Sequence, residues 1–426
     1  MPSQIKASKN LLIRNVPNED IDWLRESKPV GISQNDYLKS ILARARVDLG
    51  QDDLFAAVTE PQPIYSSAPF KFIDVFAGIG GFRAGMTSVG GKCVYANEWD
   101  RHACKTYSVW YGDRGIDSRD IREVDIPNDI PDHDILCAGF PRQSFAVKTA
   151  SRRDSVCLPD GAIDEKVGSL FSRVMDIVDC KRPPVLFFED VKNLKTHNEG
   201  KTFKAVERSI RERGYTVSAK VFDACSWVPQ RRERTFLVCF DTEVFAHDLN
   251  FNFDFPEPPA GEHPTLKSIL LSGNPSKRYM LSDKLWTYLQ EYAKKHRAKG
   301  NGFGYGLFSG EDVAKAISAR YCKDGSEILI NQKGWRNPRR LLPREVMLLM
   351  GFEDEYAELF GHKNGFPQVV SDTQSYRQFG NAVVRKIIGA VGAKIVHTIS
   401  RAVQFSDHAC LLKGRLIAGA NLAGRN

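Results

Sequence analysis

The sequence predicts an α/β protein: a Rossmann-like domain with a smaller domain set into it, and a small strand-helix-helix unit at the N-terminus. Three observations carry this. An apolar stretch, Lys71 to Phe76, runs straight into Ala77-Gly78-Ile79-Gly80-Gly81, the pattern of a strand that turns through glycines into a helix. A second strand-like stretch, Cys93-Val94-Tyr95-Ala96-Asn97, ends in an acid, Glu98, 18 residues after Gly80. Two more, Asp134 to Gly139 and Val185 to Phe188, are separated by a helix-like segment over 167–179. Strand and helix patterns in alternation mean a parallel sheet.

The chain has 426 residues, enough for about two to three domains. Its 42% hydrophobic and 26% charged content is that of a soluble globular protein. A net charge of +8 fits a polyanionic partner, although alone it is weak evidence. The nine cysteines stand singly, with no Cys-x-x-Cys pair, so zinc-ribbon and thioredoxin readings fail. Scattered thiols in a chain of this length point to a reducing, cytoplasmic setting. There is no apolar run approaching ~18 residues and no signal-peptide core, so no membrane role is expected.

Residues 1–50 hold the N-terminal unit. Asn10 to Val16 is strand-like and stops at Pro17. Asn18 can cap a helix through Glu26, and after Gly31 the serine at 33 caps a second, with Tyr37, Leu38, Ile41 and Leu42 at helical spacing. Strand, helix, helix in so short a stretch resembles a ribbon-helix-helix DNA-binding module. That resemblance implies a homodimer through the paired strand, with Asn10 and Arg14 on one strand face as base readers. A helical arm packed on the main domain fits the same residues. Residues 51–70 are acidic, then Pro- and Ser-containing, and read as a linker.

In the main domain, the glycines after Phe76 let backbone amides approach a ligand at a helix start. Glu98, at the tip of the second strand, can accept both hydroxyls of a ribose, and Trp99 can stack on adenine. A core of the same type without a cofactor is the bland alternative. The third strand delivers Phe140-Pro141-Arg142-Gln143-Ser144-Phe145 to the carboxyl edge of the sheet, where α/β folds place their sites. The fourth ends at Glu189 and Asp190. A carboxyl group there, between apolar strands, is either an acid with a raised pKa or a structural carboxylate bridged to an arginine. Gln230-Arg231-Arg232-Glu233-Arg234 precedes a strand over Thr235 to Val238.

From 241 to 337 the alternation is lost and the chain becomes rich in Gly, Lys and aromatics. Glycines over Lys299 to Gly306 would let backbone reach a groove. In Ser318 to Glu327, Arg320 and Lys323 would read guanines or hold phosphate. Arg339 to Glu345 opens an apolar helix ending at Gly351-Phe352. Ser375-Tyr376-Arg377-Gln378-Phe379-Gly380-Asn381-Ala382-Val383-Val384 then returns to the core, and 401–426 is a tail of little signal.

In order and spacing, over roughly residues 71–395, these segments resemble the cytosine-C5 DNA methyltransferase family. The resemblance implies an S-adenosylmethionine-dependent methyltransferase domain over 71–240 and 338–400, with a target-recognition domain over 241–337. The Lys299 and Ser318 runs look like the branch that modifies CCWGG or CCNGG sites. The implied substrate is double-stranded DNA with the cytosine flipped out, and the implied cofactor is S-adenosylmethionine, with no metal. By the same resemblance, Phe76, Gly78, Gly80, Glu98, Trp99, Asp120, Ile121 and Asn381 hold the cofactor. Gln143 and Ser144 touch DNA. Glu189 protonates the base at N3, Arg232 and Arg234 hold the nucleotide's phosphate and the O2 edge of the base, and Gln230 completes the same catalytic set.

The departure is at Arg142, where the family carries the nucleophilic cysteine. A guanidinium stays protonated and has no lone pair with which to attack C6. Asp190 likewise replaces a neutral asparagine. The two changes suggest a compensating Arg142–Asp190 pair in place of a thiolate and its brace; two independent losses are the alternative. Residues 146–164 also differ from the family's usual loop. Three functions follow. A methyltransferase needs another nucleophile, and none near the loop is obvious: Cys157 lies 15 residues on, in the divergent segment. A catalytically inactive, site-specific DNA-binding regulator needs none. A metal-free cytosine deaminase would use Glu189 at N3, since His197-Asn198-Glu199 is not followed by the cysteines of a zinc site.

Overall fold

The computed structural model describes residues 70–112, 116–140, 169–191, 200–245, 253–273, 276–301, 304–323, 325–332 and 334–405, with the side chains at 169, 190, 191 and 401–405 excepted. The N-terminal unit with Asn10 and Arg14, the linker, the segment carrying Arg142, Gln143 and Ser144, and the tail from 406 lie outside the described residues.

The frame is a seven-stranded sheet built from β1 (Lys71–Val75), β2 (Lys92–Asn97), β3 (Ile116–Asp117), β4 (Ile135–Gly139), β5 (Val185–Val191), β6 (Ser218–Asp223) and β8 (Glu233–Phe240). Its order is β3-β2-β1-β4-β5-β8-β6. β1 pairs in parallel with β2 and β4, β4 pairs in parallel with β5, and β8 runs antiparallel to both β5 and β6. The chain therefore steps outward from β1 through β2 to β3, then restarts on the other side at β4. That reversal between β1 and β4 opens a crevice at the strands' carboxyl ends.

The two faces of the sheet sort the apolar residues by period two, as a pleated strand requires. Phe72, Ile135, Cys137, Val185, Phe187, Phe236 and Val238 fall in one buried cluster. Their chain neighbours Ile73, Val75, Leu136, Ala138, Leu186, Phe188 and Leu237 fall in another. The first face is covered by α1 (Gly81–Thr87) and the long α8 (Arg385–Phe405) through Phe82, Met86, Ile388 and Val391. The second is covered by α3 (Ser169–Lys181) and α4 (Lys201–Glu212), through Phe171, Val174, Val178, Val206 and Ile210. α2 (Arg101–Tyr111) starts at Asp100, whose carboxylate accepts the amides of His102 and Ala103. Each fully buried side chain of this kind stabilises the fold by about 1.5–3 kcal/mol.

The inserted segment is more ordered than its sequence pattern suggests. α5 (Asp283–Ala298) starts at a serine cap, Ser282, and packs through Leu285, Trp286 and Leu289 against Leu281, Leu329 and Tyr305. β7 (Gln230–Arg231) pairs with β10 (Ala314–Lys315), while β9 (Leu307–Phe308), β11 (Leu329–Ile330) and β12 (Arg339–Arg340) form a small second sheet. The core on the first face runs on through Ala314, Ile317, Tyr321, Ile328 and Leu341. The insertion thus shares the main core. Its return is fixed by a buried fork in which Arg339 donates at 2.7 and 2.8 Å to Glu345, on α6 (Pro343–Leu349). α7 (Asp372–Asn381) then leads into α8.

Candidate cofactor and cytosine site

The carboxyl end of β1 turns through three left-handed residues: Phe76 (φ 58°), Gly78 (φ 56°) and Gly80 (φ 80°). Gly80 has no room for a side chain, since a Cβ there would lie 2.3 Å from the Tyr111 ring. Gly78 differs. A Cβ there would meet nothing within 4 Å, so its backbone faces open space while its φ disfavours any other residue. The loop is tied to the next strand by Ala77 N–H donating to Asn97 O at 3.0 Å.

Glu98 is the hub of this corner. Its Oε2 accepts the Gly78 amide at 2.9 Å and its Oε1 accepts the Asp100 amide at 2.8 Å. Burial pushes the carboxyl up, against the two amides that pull it down. Each oxygen keeps a lone pair for a further donor. Beside it, Trp99 is 72% exposed, the most exposed large apolar side chain among the described residues. An indole left in water next to a glycine cradle is a free stacking surface.

Asp120 accepts the Arg122 amide at 3.0 Å and the Arg122 Nε at 2.9 Å, and that arginine holds its carboxyl below the usual range. Ile121, expected with Asp120 at the adenine edge, is 2% exposed, its side chain packed in the core on the second face of the sheet. Only its backbone is left to face a ligand. Asn381, at the end of α7, is exposed.

At the tip of β5, Glu189 is 7% exposed and its Oε1 lies 3.1 Å from Arg234 Nε. The pair meets because Glu189 and Phe236 are register partners, which sets Arg234 two residues further along the antiparallel strand. Phe140, one residue past β4, donates its amide to Glu189 O at 3.0 Å. Its ring sits among Phe76, Phe171 and Phe188. Asp190 continues β5 opposite Thr235, its side chain outside the described atoms.

Arg232 departs from the expected contact with the nucleotide, and Gln230 shares its inward setting. Gln230 is fully buried: its amide nitrogen donates to Leu349 O at 3.0 Å, and its oxygen accepts the Ile317 amide at 3.0 Å. Arg232 is 2% exposed and donates to Ile317 O at 3.0 Å, Ala382 O at 2.9 Å and Gly380 O at 3.2 Å. Both reach inward, because β7 and the start of β8 lie between the insertion and α7. They join those segments to the sheet. Gly380 is part of the same junction, as a Cβ there would lie 2.3 Å from the backbone of Ser318 and Ala319.

Past that junction Ser318 donates its hydroxyl to Glu327, which also accepts the Ser318 amide at 3.0 Å. The turn so closed carries Arg320 and Lys323, both exposed. Asp74 went unnoticed in the sequence. It is fully buried on β1, accepts the Arg83 amide at 3.2 Å, and burial pushes its carboxyl well up. A lone acid inside an apolar strand was the available signal.

The comparisons with known proteins agree with this geometry. The model of the C-5 cytosine-specific DNA methylase family matches residues 70–397. The DNA-cytosine methyltransferase of Escherichia coli strain K12 is 36% identical over 436 residues, covering 88% of this chain and 89% of its own. The type II methyltransferase M.SsoII of Shigella sonnei is 40% identical over 345 residues, covering 80% of this chain and 84% of its own. Among solved structures, the Dnmt2 methyltransferase of S. pombe superposes with a TM-score of 0.57 at 14% identity, over 78% of this chain and 99% of that one, a likeness of fold. No described helix is long and apolar enough to cross a membrane. By family match and by relatives of nearly its own length, the chain belongs to the C-5 cytosine-specific DNA methylase family.

Proposed function

We propose that this protein binds S-adenosylmethionine and double-stranded DNA at a CCWGG- or CCNGG-like site, turns the cytosine out toward Glu189 and Arg234, and does not methylate it. It then acts as a site-specific DNA-binding regulator with a methyltransferase frame. The observation that carries the reading is a contrast. The buried Glu189–Arg234 pair at 3.1 Å stands at the sheet edge, while Arg142 occupies the position of the attacking thiolate. A permanently protonated guanidinium supplies no electron pair to C6.

The cofactor fits the residues present. Open space over the Gly78 backbone, the exposed Trp99 ring and the Glu98 carboxylate together suit a nucleoside with two ribose hydroxyls. When bound, S-adenosylmethionine supplies an electrophilic methyl group. Glu98 accepts the hydroxyls, Trp99 covers the adenine, and exposed Asn381 closes the pocket from α7. Arg234 holds the Glu189 carboxyl in place, and Arg232 and Gln230 position the arm that bears Asn381 and the turn that bears Arg320 and Lys323.

The test uses the full chain with duplex oligonucleotides carrying CCWGG, CCNGG or scrambled sites. Cofactor binding is followed by calorimetry, and nucleosides are analysed by mass spectrometry. Expected are cofactor binding, site-preferring DNA binding and no modified base, with 5-methylcytosine appearing in Arg142→Cys. 5-Methylcytosine from the unaltered chain overturns the reading and moves attention to Cys157. Uracil in place of cytosine overturns it in favour of deamination, with Glu189→Gln as the check.

A further inference from the structure

We propose that the exposed face of α5 is a second DNA-contacting surface, a cationic and aromatic strip that binds duplex phosphates flanking the recognition turn. The proposal rests on the reading of double-stranded DNA as the partner. Lys284, Tyr288, Tyr292, Lys295 and Lys299 recur at spacings of four, four, three and four, which places them on one stripe of the helix and its C-terminal cap. Exposed Glu291 falls on the same stripe, Lys294 lies to one side of it and Arg297 faces away from it; all three stripe lysines are exposed. Tyr288 is 57% exposed, with the Tyr292 ring 5.9 Å from it and the His296 ring 4.2 Å beyond.

Two observations set this face apart from an ordinary solvated one. Among the described residues, Lys284, Lys294, Lys295, Arg297 and Lys299 form no ion pair, whereas Asp283 at the helix start is engaged by Arg336 and Asn337. Cations in the last turn offset the helix dipole, and one or two suffice for that. Lys284 lies in the first turn, where the dipole opposes a positive charge. The cost there is small, about 0.3–1 kcal/mol at an exposed site, and an external anion would offset it. A polyanion does so along the whole stripe.

The dimensions agree. From Lys284 to Lys299 the helix rises about 22 Å, the length of about six nucleotides of one strand. Aromatic rings set between cations pack on sugar edges while the cations take phosphates. The strip also leads directly into the glycine-rich turn: His296 Nδ1 lies 2.8 Å from Asn301 Oδ1, and the amides of Gly300 and Asn301 donate back to Arg297 O and His296 O. The same helix therefore fixes where that turn begins.

The experiment measures anisotropy of a labelled duplex of about 30 base pairs carrying CCWGG, over a series of salt concentrations, for the full chain and two triple variants. One is Lys284→Glu/Lys295→Glu/Lys299→Glu, the three cations of the stripe. The other, Lys92→Glu/Lys105→Glu/Arg208→Glu, makes the same charge change at exposed positions on other elements. Expected for the α5 triple is binding at least about tenfold weaker, with the slope of log K against log salt smaller by about 2–3, near 0.9 per lost phosphate contact. The control triple should move far less. Equal losses in both triples would reduce the effect to net charge and overturn the proposal. Unchanged binding by the α5 triple overturns it while leaving duplex DNA as the partner. A wild-type chain that binds no duplex removes both. Should the glutamate triple fail to fold, the same three positions changed to glutamine must still flatten the salt slope.

Discussion

The junction at Arg232 makes the sharpest demand on the structure. This guanidinium is 2% exposed and holds three carbonyls from two distant segments, Ile317 on one side and Gly380 and Ala382 on the other. Its own amide donates to Asp223 at 2.9 Å, which fixes the backbone from which it reaches. Arg232→Ala deletes all three side-chain bonds. A hydrogen bond from a charged donor contributes about 1.5–3 kcal/mol, but three on one group are not additive. The carbonyls near exposed Asn381 regain water once the arm loosens. Together these set the expected loss at about 3–5 kcal/mol. Arg232→Lys keeps the charge without the fork, so it should fall roughly midway. Urea unfolding gives the loss, and hydrogen exchange shows where it acts: protection should fall together over 314–323 and 378–384. A loss below about 1 kcal/mol, within the range of ordinary surface changes, would refute the staple. So would an exchange increase confined to one segment.

Two further substitutions probe the same frame. Gly380→Ala places a methyl group 2.3 Å from backbone that cannot rotate away; a loss of about 1–3 kcal/mol by urea unfolding and weaker cofactor binding by calorimetry are expected. Unchanged values for both would remove the close approach from the argument. Asp74 sits fully buried with its carboxyl raised well above the ordinary range, so the folded chain keeps a proton that the unfolded chain releases. Stability from this group is complete below the unfolded pKa and declines as pH rises toward the raised folded one. Asp74→Asn should remove that decline, so its melting temperature relative to wild type should climb from about pH 4 to pH 8. Parallel curves over that range would show that Asp74 does not titrate as burial requires.

The frame was legible where one chemistry has one structural use. Lys71 to Val75 is a short, mostly apolar run closed by glycines, a pattern a buried parallel strand uses. Glu98 at a strand tip was legible for the same reason. Gln230 and Arg232 were not. The pattern Gln-x-Arg-x-Arg says that charge is present, but not that the partners of Arg232 are carbonyls 85 to 150 residues further along. At Ile121 the sequence suggested a ligand edge beside Asp120, and what the fold adds is that the apolar side chain follows the core. α5 was missed because its buried stripe is narrow. Leu285, Trp286 and Leu289 stand among seven charged or histidine residues from Asp283 to Ala298, so composition reads as loop while spacing reads as helix.

These placements bear on what the substitution at 142 can do. β4 is held on both sides by parallel neighbours, and Phe140 is locked by the Glu189 carbonyl and by the rings of Phe76, Phe171 and Phe188. These described contacts deliver the chain to the end of β4 at Phe140. The partner across the site, Glu189 with Arg234, is likewise fixed by strand register. Loss of a thiolate in this setting removes an electron pair without dismantling the frame that would present a cytosine to it. The regulator proposed above would thus separate DNA binding from the bond-forming step. That separation is why Arg142→Cys is the most informative single change: it alters the attacking atom and leaves every positioning contact described above in place.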